Sequence, residues 1–366
     1  MTARMAETAL DTIANERLAN QRLTHGGRRS PVDVVSWLGA VQAQEYAAAS
    51  WAIGLRMHDG TTSNVIERAF TDGRILRTHV MRPTWHFVAP ADIRWLLDLT
   101  GPRVHRIMAP YNRQLGLDIA MLTRATSIIE RALSEGRHLT RAELGTALQA
   151  AGLTLDHIRL AHTAMHAELE GVICSGPRRG GKFTYALVAD RAPSAGRLSR
   201  DEALAELTRR FFRSHGPATA RDFAWWSGLT TADALRGLEM NRARARTAEN
   251  RKYWTVGRSG GSATRDAPAH LLPVYDEYLI AYRDREAVPH GPVTMAFGSA
   301  RKVMFQHAFV IAGQVAGTWR PSRDARAPSI QIAPLRRLTA PERRAVAEAA
   351  ARYARFVGVP HTLSML

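Results

Sequence analysis

At 366 residues, 45% of them apolar, the chain is long enough for two to four domains with real cores, and its single cysteine, Cys174, excludes an internal disulfide and a multi-thiolate zinc site. The stretch from Met1 to Glu7 lacks the apolar run of a signal peptide, and no window approaches the ~20 apolar residues of a membrane span, so a cytoplasmic protein without membrane insertion is expected. Fifty Lys and Arg against 33 Asp and Glu leave a net charge of +17, which favours a polyanionic partner, nucleic acid ahead of an anionic membrane. Only Lys182, Lys252 and Lys302 are lysines, and a GC-rich genome would also produce such an arginine bias.

Residues 9–24 carry Leu10, Ile13, Leu18 and Leu23 at helical spacing, and Gly26 and Gly27 stop this first helix. Ser30 before Pro31 reads as an N-cap with proline at the first helical position, opening a second helix over 32–41. At its end stand Gln42, Ala43, Gln44 and Glu45. A third helix is predicted over 61–70, and strand-like runs at 75–80 and 84–88, joined through Met81, Arg82 and Pro83, form a hairpin. Three helices and a hairpin are the winged-helix order.

That order recurs twice. Residues 121–134 form an amphipathic helix, Thr140 and Glu143 a capping box for a helix over 141–151, and Asp156 begins a helix to Glu170, followed by strand runs at 172–175 and 183–188. Ser199 then caps a helix to Phe212, Thr219 one from Ala220 to Gly228, and Thr230 or Thr231 one to Met240, before a hairpin over 244–256. The stretches 139–144 and 218–223 match, which predicts a repeat of about 75 residues in three copies, the first most divergent. Residues 259–263 read as a flexible linker. Beyond it, short strand candidates at 271–281, 293–297, 304–311, 314–320 and 329–334 predict a small sheet or barrel, and Thr339 caps a last helix to Phe356. The expected fold is mainly α with small β: winged-helix domains at 1–115, 116–192 and 193–258, then a β-barrel with a C-terminal helix at 259–366.

Motifs that bear chemistry are few. Gly176 to Lys182 begins like a phosphate-binding loop, but Phe183 stands where Ser or Thr must ligate magnesium, so a hairpin tip offering Arg178, Arg179 and Lys182 to DNA phosphates is the better reading. His162 and His166 are one helical turn apart with no third ligand at suitable spacing, so no metal is expected. Nucleophile-elbow, zinc-protease and dinucleotide-binding patterns are absent. Asp276 and Glu277 stand among aromatic residues, with Arg283, Asp284 and Arg285 close behind, and a supporting role at a site and a salt-bridged turn are equally open.

A base-reading regulator would carry Arg, Lys or amides on its recognition helices. Here one candidate has Asp156, Glu168 and Glu170 against Arg159, and the other has Arg236 with Asp233 and Glu239. Basic residues gather instead at predicted hairpins, including Arg77, Arg82, Arg178, Arg179, Lys182, Arg301 and Lys302. Gripping phosphates without reading bases suits an enzyme that surveys DNA for damage.

Four stretches, 41–45, 76–86, 272–279 and 315–320, together resemble the winged-helix DNA glycosylases of the AlkZ type, in order and across nearly the whole chain. The resemblance implies three tandem winged helices and a β-barrel around a basic concavity. Its catalytic element is a Gln-apolar-Gln motif, matched by Gln42 and Gln44; a sister branch has Asp at the second position, and this chain does not. It implies a glycosylase that releases N7-alkylated purines from duplex DNA, with bulky natural-product adducts and interstrand crosslinks among the family's substrates, no cofactor and no obligate protein partner; with lysine, the usual Schiff-base amine, so scarce, a monofunctional enzyme without lyase nicking is expected. Arg82, His86, Arg178, Arg179, Lys182, Arg301 and Lys302 are expected at the DNA, with Trp85 near the Gln pair. A non-enzymatic tandem winged-helix transcriptional regulator is the alternative, and an adduct-binding scaffold without activity a third reading.

Overall fold

The computed structural model describes residues 8–24, 27, 29–257, 268–288, 300–322 and 328–365. The linker expected at 259–263 and the strand expected at 293–297 lie outside them. The structure is mainly helical with small sheets, and none of its described helices is long and apolar enough to cross a membrane.

α1 (Ala9–Asn20) and α2 (Pro31–Leu38) each begin with a reciprocal capping box, Thr8 with Asp11 and Ser30 with Asp33. Gly39, at φ 87°, ends α2 earlier than its apolar run suggested, because only glycine adopts that backbone without strain. The chain then extends into β1 (Val41–Gln42), so the Gln pair sits on a strand and its exit rather than on a helix end. α3 (Tyr46–Gly54), absent from the sequence reading, precedes α4 (Ser63–Thr71) and the hairpin β2 (Leu76–Val80) and β3 (Arg82–Val88). A second unforeseen helix, α5 (Ile93–Gln114), continues through Pro102 and Pro110 and buries Leu96, Leu97 and Val104 on one face. Tertiary packing of that face outweighs the two prolines.

The second unit is α6 (Ile119–Leu133), β4 (Leu139–Thr140), α7 (Arg141–Ala150), α8 (His157–Leu169), β5 (Ile173–Ser175) and β6 (Thr184–Leu187), followed by the short α9 (Val188–Arg191). Its sheet order, β4-β6-β5, repeats β1-β3-β2 of the first unit. The third unit has α10 (Arg200–Ser214), α11 (Ala220–Ser227), α12 (Thr231–Met240) and the hairpin β7 (Arg244–Ala248) and β8 (Arg251–Thr255), with a lone bridge from Ala218 to Trp254 where the others have a short first strand. The element order therefore recurs three times.

The C-terminal region differs from the expected barrel. β9 (Ala269–Leu272), the short α13 (Glu277–Ile280), β10 (Ala308–Ile311), β11 (Gln314–Pro321), β12 (Ser329–Pro334), α14 (Ala340–Val357) and β13 (Thr362–Met365) give an open five-stranded sheet, ordered β13-β12-β11-β10-β9. Closure would require β9 to pair with β13, and among the described residues it does not. α14 packs across the β9 edge instead.

The cores are shared across units. Val35, Leu38, Phe70 and Phe87 of the first unit pack with Leu271, Phe309, Ile332 and Val346 of the C-terminal region. Leu76, Val88 and Leu96 pack with Phe211, Phe223 and Trp226 of the third. The second unit keeps a core of its own around Ile129, Leu144 and Leu148. The first unit is thus clamped between the third unit and the C-terminal sheet, and the Gln motif lies at that junction.

Candidate active site

In the second and third units the chain passes almost directly from first strand to helix, and Thr140 with Glu143 or Thr219 with Asp222 closes the helix N-terminus in a capping box. The first unit breaks this rule. Three residues, Ala43, Gln44 and Glu45, intervene between β1 and α3, and Glu45 at the N-cap makes no side-chain capping bond. Departures from local consistency gather at functional sites, where another constraint outweighs them.

Gln42 ends β1, and Gln44 lies two residues on in the bend that leads to α3. They differ in depth: Gln42 is buried and Gln44 exposed. Pairing of Val41 with Phe87 and Gln42 with His86, and the Ala43 N–H to Trp85 O bond of 2.7 Å, fix the strand's register. The Trp85 N–H also reaches Gln44 Oε1 at 3.4 Å.

Gln42 is held from two directions. Its backbone N–H donates to Glu277 Oε1 at 2.9 Å, and its side-chain Oε1 accepts from Arg82 Nη2 at 2.8 Å. A guanidinium only donates, so this contact fixes which end of the amide is oxygen and leaves its NH2 as the outward donor. Arg82 also donates to Trp226 O at 2.9 Å and Trp225 O at 3.3 Å, capping the last carbonyls of α11, where the helix dipole favours a cation. Gly228 makes the approach possible, since a Cβ there would lie 2.0 Å from Met81 O in the hairpin turn.

Glu277 is fully buried at the start of α13. Burial alone would raise its carboxyl, but His215, whose Nε2 lies 3.4 Å away, the Gln42 N–H and the charge of Arg82 outweigh it and hold the pKa down to about 2. Its second oxygen accepts from Trp226 Nε1 at 2.9 Å. Asp276 is engaged elsewhere, in a two-pronged pair with Arg56 at 2.8 and 2.9 Å. The Asp276-Glu277 pair is therefore both a structural junction and the support directly behind Gln42.

The remaining expected site residues divide. His86 is buried, and burial and Arg82 lower its pKa to about 3, so it is neutral, with Nδ1 donating to Thr84 O at 2.9 Å and Nε2 facing Arg82 at 3.3 Å. Arg82 thus holds Gln42 from inside the protein, with Nη1 and Nη2 of Arg82 and Nδ1 of His86 already bonded there. Arg178 pairs with Glu67 at 3.2 Å and lies 5.1 Å from both the Tyr46 and Phe183 rings. Arg179, half exposed, pairs with Glu143. Gly180 and Gly181, at φ 54° and 78°, form the two-residue turn closed by Arg179 and Lys182, a hairpin tip rather than a phosphate-binding loop. Lys182 is exposed there, and Lys302 is exposed on a six-residue 3-10 helix, Ala300–Phe305; the Arg301 side chain is outside the described residues.

Trp85 is half-buried at the mouth of a 340 Å³ cavity that also involves Arg77, Arg141, Glu168, Phe183 and Tyr185. Arg77 sits against Trp85 at 4.2 Å and Phe183 at 4.8 Å, with Nε donating to Ala43 O at 2.9 Å, and burial brings its pKa down to about 10. Sequence reading counted Arg77 only as hairpin charge; its alternation with His79 on β2, facing Trp85, was the available signal. His162, considered for a metal, bonds Asn112 instead, while His105 and Glu170 bring their ligand atoms within 4.8 Å of His166. Sequence spacing did not show that third ligand, because it comes from α5.

The chain matches the family described as DNA glycosylase AlkZ-like over residues 35–356. It belongs to the AlkZ-like DNA glycosylase family. This glycosylase is 26% identical over 321 residues to the interstrand DNA cross-link repair glycosylase of Streptomyces sahachiroi, covering 83% of this chain and 85% of that one. The structure of the S. sahachiroi DNA glycosylase AlkZ shares the fold, with a TM-score of 0.80 at 24% identity over 99% of this chain and 100% of that one. The chain is therefore a DNA glycosylase, and the reading as a non-enzymatic regulator falls away.

Proposed function

We propose that this enzyme hydrolyses the N-glycosidic bond of N7-alkylated purines in duplex DNA, using a water held between the side-chain amides of Gln42 and Gln44. The three repeated units are read as tandem winged helices carrying that site, with boundaries near 1–115, 116–192 and 193–258. The observation that carries the reading is the two-sided fixing of Gln42 by Arg82 and Glu277, with Gln44 exposed two residues on.

The chemistry follows from the groups present. An N7-alkylated purine is already cationic, so the C1′–N9 bond breaks with its electron pair returning to the base, and no acid is needed at the leaving group. The sugar becomes oxocarbenium-like, water forms the new C1′–O bond, and its proton passes to solvent. Amides are not bases at neutral pH, so the reaction is confined to bases that leave readily. Glu277 is ionised behind the site and both its oxygens hold donors, so its part is electrostatic: a fixed negative charge near the developing sugar cation. The relative named for interstrand cross-link repair supports including crosslinked N7-purines among the substrates.

The test is incubation of the purified protein with a duplex carrying a single N7-methylguanine, scored for abasic sites. Release of the base with an intact strand is expected. Tight binding without release would leave the adduct-binding scaffold as the function of this chain.

A further inference from the structure

Glu45, the residue after the Gln pair, borders a second cavity, of 410 Å³, within the ~300–1,000 Å³ typical of small-ligand sites. Its wall is aromatic. Trp51 meets Tyr353, Tyr353 meets Trp319 and Trp319 meets His307 edge to face, with centroids 5.1, 4.8 and 5.0 Å apart, and Tyr275 with Phe305 forms another such pair at 5.8 Å. The indole N–H groups of Trp51 and Trp319 donate to Leu271 O and Leu272 O at 2.7 and 2.8 Å, and both indoles are buried, so they back the wall while Tyr275, Phe305 and Tyr353 carry its accessible ring surface. Tyr275 holds a left-handed backbone, φ 62°, rare for an aromatic residue and characteristic of ligand-binding positions, with its N–H bonded to Met304 O.

Charge separates this cavity from its neighbours. In a protein of net charge +17, the cavity beside Trp85 has Arg77 and Arg141, one beside Trp37 has Arg22, Arg209 and Arg213, and one beside Trp254 has Arg221, Arg251, Lys252 and Arg283. Among its described lining residues, the cavity beside Glu45 has no Lys or Arg, and the Glu45 carboxylate is its one formal charge. His307 does not supply a cation either, because burial lowers its pKa and keeps it neutral.

A wall of π surfaces with one carboxylate at its edge is complementary to a flat cation, since the ring quadrupoles and the carboxylate both attract positive charge. We propose that this cavity receives the base turned out of the duplex and selects purines made cationic by N7 alkylation, through its aromatic wall and Glu45. This rests on the substrate reading given under Proposed function and adds the place where the charge of the lesion is read. A neutral purine gains stacking alone there. An N7-alkylated one gains cation–π and ionic attraction besides, so selection occurs before the bond breaks.

The experiment compares two duplexes whose target sugar carries a 2′-fluorine that blocks hydrolysis, one with N7-methylguanine and one with guanine. Wild type should prefer the methylated duplex by about tenfold or more, and Glu45→Gln and Phe305→Ala should each cut that preference at least about threefold, with affinity for the guanine duplex within about twofold of wild type in Glu45→Gln and lowered in Phe305→Ala by the lost stacking. Both residues are exposed, Phe305 to 51%, so neither change threatens the fold. A preference unchanged in either variant, or absent from wild type, overturns the proposal. Release from an unfluorinated N7-methylguanine duplex is scored separately: release with unaltered preference in the variants sinks the cavity assignment alone, and no release by wild type sinks the substrate reading.

Discussion

Arg82 Nη2 stands 2.8 Å from Gln42 Oε1 while its Nη1 caps α11 through Trp226 O, so one guanidinium ties β1 of the first unit to a helix end of the third. Arg82→Ala should therefore leave duplex affinity and its salt dependence near wild type and slow base release about 10- to 100-fold, the scale of losing a positioned catalytic group. Single-turnover rates and a salt titration of binding check it. A shallower salt slope with unchanged release would return Arg82 to the phosphates.

In the proposed mechanism, truncating either amide removes one side of the water's support and leaves the DNA grip alone. Gln42→Ala and Gln44→Ala should each slow release on the order of 10- to 1,000-fold, with affinity within a few-fold of wild type. Gln44→Asp should stay substantially active on N7-methylguanine, because an aspartate at this exposed position can accept the water's proton. Wild-type rates in both alanine variants would make the pair structural.

Lys182 at the hairpin tip, exposed, should touch a phosphate. Lys182→Ala is expected to weaken damaged and undamaged duplex equally and to reduce the salt slope by about 0.9. The measurement is log Kd against log salt for both duplexes, and an effect confined to damaged DNA would place Lys182 at the lesion.

Two buried histidines predict acid sensitivity. His86 and His270 are both lowered by burial from 6.5 to about 3, so as pH falls below 6.5 the unfolded chain takes up protons that the folded chain refuses. Stability is fully present above 6.5 and is lost as pH falls toward 3, by up to about 1.4 kcal/mol per pH unit for each histidine. Melting temperatures between pH 7 and pH 4.5 should drop steadily, and His270→Gln should flatten the decline. Glu277 adds to the loss only below its ordinary value of 4.5.

Glu277→Ala leaves the Gln42 N–H and the Trp226 indole N–H without their acceptor in a dry interior. It should cost about 3–5 kcal/mol, by denaturant unfolding, and Glu277→Gln distinctly less, because an amide oxygen can replace one of the two acceptors. Equal losses in both variants would mean that the negative charge, rather than the acceptors, is what the junction needs.

Local physics made the helix starts and the Gln motif legible. Thr140 with Glu143, Thr219 with Asp222 and Thr339 with Glu342 form the capping boxes that their spacing announces, because the bonds span three residues and depend on nothing distant. α3 and α5 were missed for complementary reasons: α3 is apolar around most of its circumference, which erases the amphipathic period, and α5 carries two prolines that only long-range packing overrides. The open edges of the C-terminal sheet were equally hidden, since closure depends on which distant strands meet. Residue types identified Gln42 and Gln44 as a pair. What holds Gln42 comes from partners 40 and 235 positions away, Arg82 and Glu277, and what surrounds Glu45 comes from α3, the β9–α13 connection, β11 and α14 together. A hydrogen bond or a cavity wall is set by distance in space, and sequence separation carries no record of that until the chain is folded.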